Sequence, residues 1–115
     1  DKVSEYDSLL GFNDPEWVWL PSIAPSGMDF YPLEGNNGIM FSELKGNLLV
    51  GSLKFKRLYS ISINEIGLPD SESILIDGIL GRIRDVAVSK DGSILILNDE
   101  SSLSKPQGGL YRIFK

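Results

Sequence analysis

Arg82 and Arg84 stand two positions apart in a chain whose overall charge is −5. On a strand, side chains at that spacing leave from the same face, with Ile83 and Asp85 on the other. Paired guanidinium groups offer planar donor forks that match carboxylate or phosphate oxygens. Taken alone, such a pair reads first as the solvated face of a strand, because arginine is mostly exposed. Other chemistry is bounded by absences. The chain has no histidine, so it contains no Ser-His-Asp triad, histidine general base or histidine-ligated zinc. It has no cysteine, which removes thiol catalysis, thiolate metal sites and disulfides. Asp85 reads as a residue that orients the arginines rather than as a base. Asp91-Gly92-Ser93 lacks the alternating carboxylates of a calcium loop. Asp91-Gly92 and Asn98-Asp99 read as turn chemistry, and Gly108-Gly109 as a loop without a phosphate-cradle pattern.

The elements that position these residues must fit within 115 residues, 42% apolar and 23% charged, a composition suited to a folded chain with a core. Eleven basic against sixteen acidic residues disfavour a nucleic-acid or anionic-membrane surface. No run of large apolar residues is long enough to span a membrane as a helix. The first residue is Asp1 and no leader pattern is visible, so a mature or excised piece is the expectation.

Apolar residues recur with period two in short segments bounded by Gly, Pro, Asn or Asp. Asn47–Ser52, Arg57–Ile63, Glu72–Asp77, Ile83–Val88, Ser93–Asn98 and Gly109–Phe114 read as strands, with Glu16–Leu20 and Gly27–Tyr31 as further ones. Turn signals sit at Gly35-Asn36-Asn37-Gly38 and Asp91-Gly92. No long stretch keeps a helical apolar stripe, and Asp1–Ser8 receives no definite state. The chain is expected to be all-β.

An internal repeat organises these strands. Gly46-Asn47-Leu48-Leu49-Val50 aligns with Gly92-Ser93-Ile94-Leu95-Ile96, and Leu58-Tyr59-Ser60-Ile61 with Leu110-Tyr111-Arg112-Ile113. Gly27–Tyr31 aligns roughly with Arg84–Val88. A four-stranded unit recurring about every 50 residues suits a propeller blade, although the strand count alone equally allows a sandwich.

Three segments carry a more specific likeness. They are Trp19-Leu20-Pro21-Ser22-Ile23-Ala24-Pro25-Ser26-Gly27-Met28, then Gly46-Asn47-Leu48-Leu49-Val50-Gly51-Ser52-Leu53-Lys54, then Gly81-Arg82-Ile83-Arg84-Asp85-Val86, which leads to Gly109-Leu110-Tyr111-Arg112-Ile113. In this order they resemble the C-terminal third of the soluble, pyrroloquinoline-quinone (PQQ)-dependent aldose sugar (glucose/sorbosone) dehydrogenases, over about residues 15 to 113. The resemblance implies β-propeller blades: about two four-stranded antiparallel blades of a six-bladed type, closing only with further blades or other subunits. It divides the chain into an N-terminal extension (1–14), a first blade (15–77) and a second, incomplete blade (78–115).

The same resemblance implies that Lys54, Arg82 and Arg84 contact the cofactor, a flat orthoquinone with three carboxylates. Trp19 and Ser22 are candidates for a wall beside cofactor or sugar, with packing as the commoner role for such a tryptophan and Trp17 competing for the place. Relatives oxidise an aldose to its lactone, pass a hydride to the quinone, use a histidine as base and use calcium to polarise the cofactor. The histidine and most calcium ligands belong to preceding blades, so the chain by itself is expected to be catalytically incomplete. Ser89-Lys90 replaces a Gly-Pro usual in relatives. Periplasmic or secreted location is implied as well.

Three readings stay open at this level. The chain is part of a longer dehydrogenase, or it self-associates (three copies would make a six-bladed ring) into an anion or sugar-acid binder without redox chemistry, or it is a propeller-derived scaffold with no small-molecule site.

Overall fold

The computed structural model describes residues 14–34, 39–99 and 108–115. The expected turn at Gly35-Asn36-Asn37-Gly38 and the extension before residue 14 lie outside the described residues. Among the described residues seven strands form two antiparallel sheets, and neither sheet closes on itself. The first has the order β1 (Pro25–Phe30), β2 (Leu48–Ser52), β3 (Arg57–Ile63) and β4 (Pro69–Asp77). The second has β5 (Ile83–Val88), β6 (Ile94–Asn98) and β7 (Gly109–Ile113). Among the described residues a single short 3-10 turn, Ser42–Leu44, is the one helical element. These are blades of the propeller kind, each a meander of sequence-adjacent strands.

The repeat is visible in the register. Val50 pairs with Tyr59 in the first sheet, and Ile96 with Tyr111 in the second. Gly46 and Gly92, which precede the equivalent strands β2 and β6, have φ of 73° and 89°. That left-handed conformation favours glycine at both turns. The first strand of the repeat aligns one residue away from the sequence expectation. Val50 pairs with Met28 and Ile96 with Val86, so Met28 matches Val86 rather than Asp85. The shift matters because one residue exchanges the two faces of a strand.

The sheets pack face to face. Leu49 and Leu58 of the first meet Ile83, Val86, Ile94 and Ile96 of the second, with Tyr31 and Leu44 completing this core. The Tyr31 hydroxyl donates to Gly92 O and accepts from the backbone N–H groups of Met40 and Phe41, so its polar tip is satisfied inside. Strands β1 and β5 run side by side in the same direction. Ser26 Oγ donates to Ile83 O at 2.6 Å, and Asp29 Oδ2 accepts from Val88 N at 2.8 Å.

Glu16–Leu20 is not a strand, contrary to its alternating pattern. Trp17 and Trp19 are half-buried while Val18 and Leu20 are exposed, so the alternation is real. It arises because the segment lies over the far face of the first sheet, against Val50, Tyr59 and Ile61, rather than pairing along an edge. Trp17 Nε1 donates to Glu72 across that face at 2.9 Å.

Candidate functional site

The cationic residues lie at one end of the paired sheets. Antiparallel pairing of Pro25 with Ser52 puts the end of β2 beside the start of β1. Just beyond, Lys54 N donates to Ile23 O at 3.2 Å, which seats Lys54 against the turn that contains Ser22. The Ser26–Ile83 hydrogen bond then joins the start of β1 to the start of β5, where Arg82 and Arg84 stand. Close approach of backbones makes this possible. A Cβ on Gly51 would stand 2.5 Å from Ile83 Cγ2, and one on Gly27 would stand 2.9 Å from Asp85 Cα.

Both arginines reach one carboxylate. Arg82 donates through Nε to Asp99 Oδ1 at 3.1 Å and through Nη2 to Asp99 Oδ2 at 3.0 Å. Arg84 Nε lies 3.3 Å from the same Oδ2. The two guanidinium groups remain about half exposed, at 48% and 53%. The hydrogen bonds from Arg82, helped by the charges of both arginines, hold the Asp99 carboxyl below its ordinary range. The shared face expected of Arg82 and Arg84 is therefore realised, with Ile83 buried between them.

Asp99, not Asp85, orients the arginines. Asp85 Oδ1 instead accepts from Val86 N at 2.9 Å, where the strand kinks between Ile83 and Asp85. Asp99 reads in sequence as turn chemistry, yet its position has a signal. Asn98 pairs with Ile83 across β5 and β6, so the next residue falls opposite Arg82. Asp99 N also donates to Arg82 O at 3.3 Å.

The remaining candidates have contacts of their own. The Lys54 ammonium sits 5.4 Å from the centre of the Phe55 ring, and the Arg57 guanidinium 5.3 Å from it. Such cation–aromatic contacts hold a long side chain loosely in place. Trp19 packs against Tyr59 with ring centres 6.1 Å apart, and its Nε1 is buried without a hydrogen-bond partner. Ser22 Oγ accepts from Ala24 N at 3.1 Å, closing the turn before β1. Among the described residues no group of three or more His, Cys, Asp or Glu side chains is placed to hold a metal ion. Nor is any helix among them long and apolar enough to cross a membrane.

Two packed antiparallel blades, with Lys54, Arg82 and Arg84 at one end, define a propeller-type chain. A family model described as Glucose / Sorbosone dehydrogenase matches residues 1–112, and the chain belongs to that family. It is similar to Aldose sugar dehydrogenase YliI of Escherichia coli (strain K12), at 37% identity over 94 residues, covering 82% of this chain and 24% of that protein. It is also similar to the uncharacterized protein slr1608 of Synechocystis, at 30% identity over 89 residues, covering 77% of this chain and 20% of the other. A solved structure of a glucose dehydrogenase superposes with a TM-score of 0.73 at 28% identity, over 91% of this chain and 29% of that one. A second glucose dehydrogenase structure gives a TM-score of 0.73 at 27% identity, over 92% and 28%. The chain thus spans about a quarter of the length of the relatives it matches.

Proposed function

We propose that this chain contributes Lys54, Arg82 and Arg84 as the cationic wall of a pyrroloquinoline quinone site in a sugar dehydrogenase. The observation that carries the reading is the convergence of both guanidinium groups on Asp99. Arginine donors that already hold a planar carboxylate suit the carboxylates of that cofactor, so the residues present fit the group. The quinone, when bound, supplies the acceptor for hydride leaving the anomeric carbon of an aldose, which becomes a lactone. Arg82 and Arg84 bind and orient the ligand carboxylates through their donor forks, and Lys54 adds a compact point charge. Cations there also favour negative charge developing on nearby oxygens. Trp19 and Ser22, as candidates for a wall beside cofactor or sugar, belong to this reading too.

A histidine base cannot come from this chain, which has none. It comes instead from the remaining three quarters of a dehydrogenase, together with most ligands for calcium. The same blades complete a six-bladed ring, and the family's periplasmic or secreted location follows. The domain division at residues 14 and 77 belongs to this reading too.

Self-association into a ring of copies is the second reading. It is favoured by the apolar, outward row of Leu95, Leu97 and Leu110 on the second sheet. By register these residues match Leu49, Gly51 and Leu58, which the second sheet covers in the first. The opposite face of the first sheet is already covered by Trp17, Trp19 and Ile23, which leaves less room for a second copy.

Fragment complementation tests the proposal. A relative trimmed of the quarter that matches this chain should lose aldose-dependent dye reduction in the presence of quinone and calcium. Adding this chain should restore it, while the chain alone should stay silent. Reduction by the chain alone, or failure to restore it, would overturn the reading.

A further inference from the structure

The wall of Arg82 and Arg84 carries a carboxylate in its midst, and the proposed function leaves that acid unused. Asp99 engages the Nε side of both guanidinium groups, at 3.1 Å for Arg82 and 3.3 Å for Arg84. It also contacts Arg82 Nη2 at 3.0 Å, and its backbone N–H bonds to Arg82 O. Asp99 is thus fixed to the strand that carries the arginines by main chain and side chain together. Two consequences follow. Long, half-exposed side chains that would otherwise sample many rotamers share one anchor, so little ordering is left for a ligand to impose. Asp99 also offsets one positive charge of the pair, which lowers its pull on any small anion that arrives by charge alone.

We infer that Asp99 is a specificity-determining positioning residue: it holds Arg82 and Arg84 as one preorganised unit that selects a rigid polycarboxylate over small inorganic anions. The inference rests on the quinone-site reading, deepens it, and assigns Asp99 no contact with substrate or cofactor.

Asp99→Asn and Asp99→Glu in the full chain separate this role from simple structural support. Pyrroloquinoline quinone and inorganic phosphate are the probes, followed by absorbance and by competition. Asp99→Asn should weaken quinone binding by about tenfold while phosphate competes more strongly than in the wild type, because preorganisation is lost and a charge is unmasked. Asp99→Glu, which keeps the carboxylate, should recover much of the selectivity. Nitrogen-15 spectra of the arginine Nε–H groups supply an arm independent of the quinone. The Arg82 and Arg84 signals should be slow to exchange in the wild type and averaged in Asp99→Asn. If both anions bind more tightly in Asp99→Asn, the acid is only a competitor and the inference fails. It fails equally if neither affinity nor the arginine signals change. A wild type that does not bind the quinone sinks the functional reading instead, and the arginine spectra then still decide whether Asp99 locks the pair.

Discussion

Arg82 meets Asp99 side-on, with Nε and Nη2 each donating to a different carboxylate oxygen at 3.1 and 3.0 Å. The pair closes the gap between the start of β5 and the end of β6. Arg84 joins it from the same strand face. An exposed ion pair of this kind adds little to stability. Its value lies in geometry, because it fixes where two guanidinium groups stand.

The pair has a pH signature. Arg82 holds Asp99, and hydrogen bonds from Ser93 hold Asp91, below the ordinary carboxylate value of 3.8. A depressed carboxyl contributes its stability fully above the unfolded value, and loses it as pH falls through the folded one. The urea midpoint should therefore fall modestly on acidification below about pH 4. Asp99→Asn should flatten its share of that slope. A midpoint that rises on acidification in this range would contradict the assignment.

Gly27 and Gly51 set the distance between the sheets. A Cβ on Gly27 would stand 2.9 Å from the backbone of Asp85, and one on Gly51 2.5 Å from the stiff, branched side chain of Ile83. Gly27→Ala and Gly51→Ala should each destabilise by roughly 1–3 kcal/mol through overpacking. They should also disturb the arginine end, because Ile83 lies between Arg82 and Arg84. Denaturant melts read the first effect, and near-wild-type midpoints for both variants would show that the sheets sit further apart.

The uncovered row on the second sheet makes a prediction about assembly. Leu97 and Leu110 are 45% and 67% exposed, so Leu97→Arg and Leu110→Arg should leave folding almost untouched. Both should reduce concentration-dependent light scattering by the chain. Scattering that is unchanged in both variants would remove this face as a docking surface.

Much of this architecture can be read directly from residue patterns. Arg57–Ile63 and Ile83–Val88 are strands with the same bounds as their alternating patterns suggest. The Leu-Tyr repeat at Leu58-Tyr59 and Leu110-Tyr111 returns as equivalent strand pairs. Two expectations fail, for different reasons. Trp17 and Trp19 alternate like a strand because they cover a sheet face, and periodicity reports burial rather than pairing. Met28 matches Val86, not Asp85: β1 and β5 each carry one bulge at the equivalent place, so the match is in step on both sides of it, and it is fixed by pairing with β2 and β6 rather than by local residue likeness. At the site, the two-residue spacing of Arg82 and Arg84 suffices to place them on one face. Their acid does not show itself that way, since Asp99 is distant in sequence and joins them only through the pairing of β5 with β6. Likewise the closeness of Lys54 to the Ser22 turn depends on β1 meeting β2, which local spacing does not encode.

Equilibrium titration tests the proposed binding of a rigid polycarboxylate quinone by the cations at this end of the chain. Pyrroloquinoline quinone titrated into the full chain should give a saturable absorbance change. Lys54→Ala, Arg82→Ala and Arg84→Ala should each weaken it by about tenfold or more, as expected for the loss of a charge-assisted hydrogen bond. Binding that persists unchanged in all three variants, or no saturable binding by the wild type, would contradict the account.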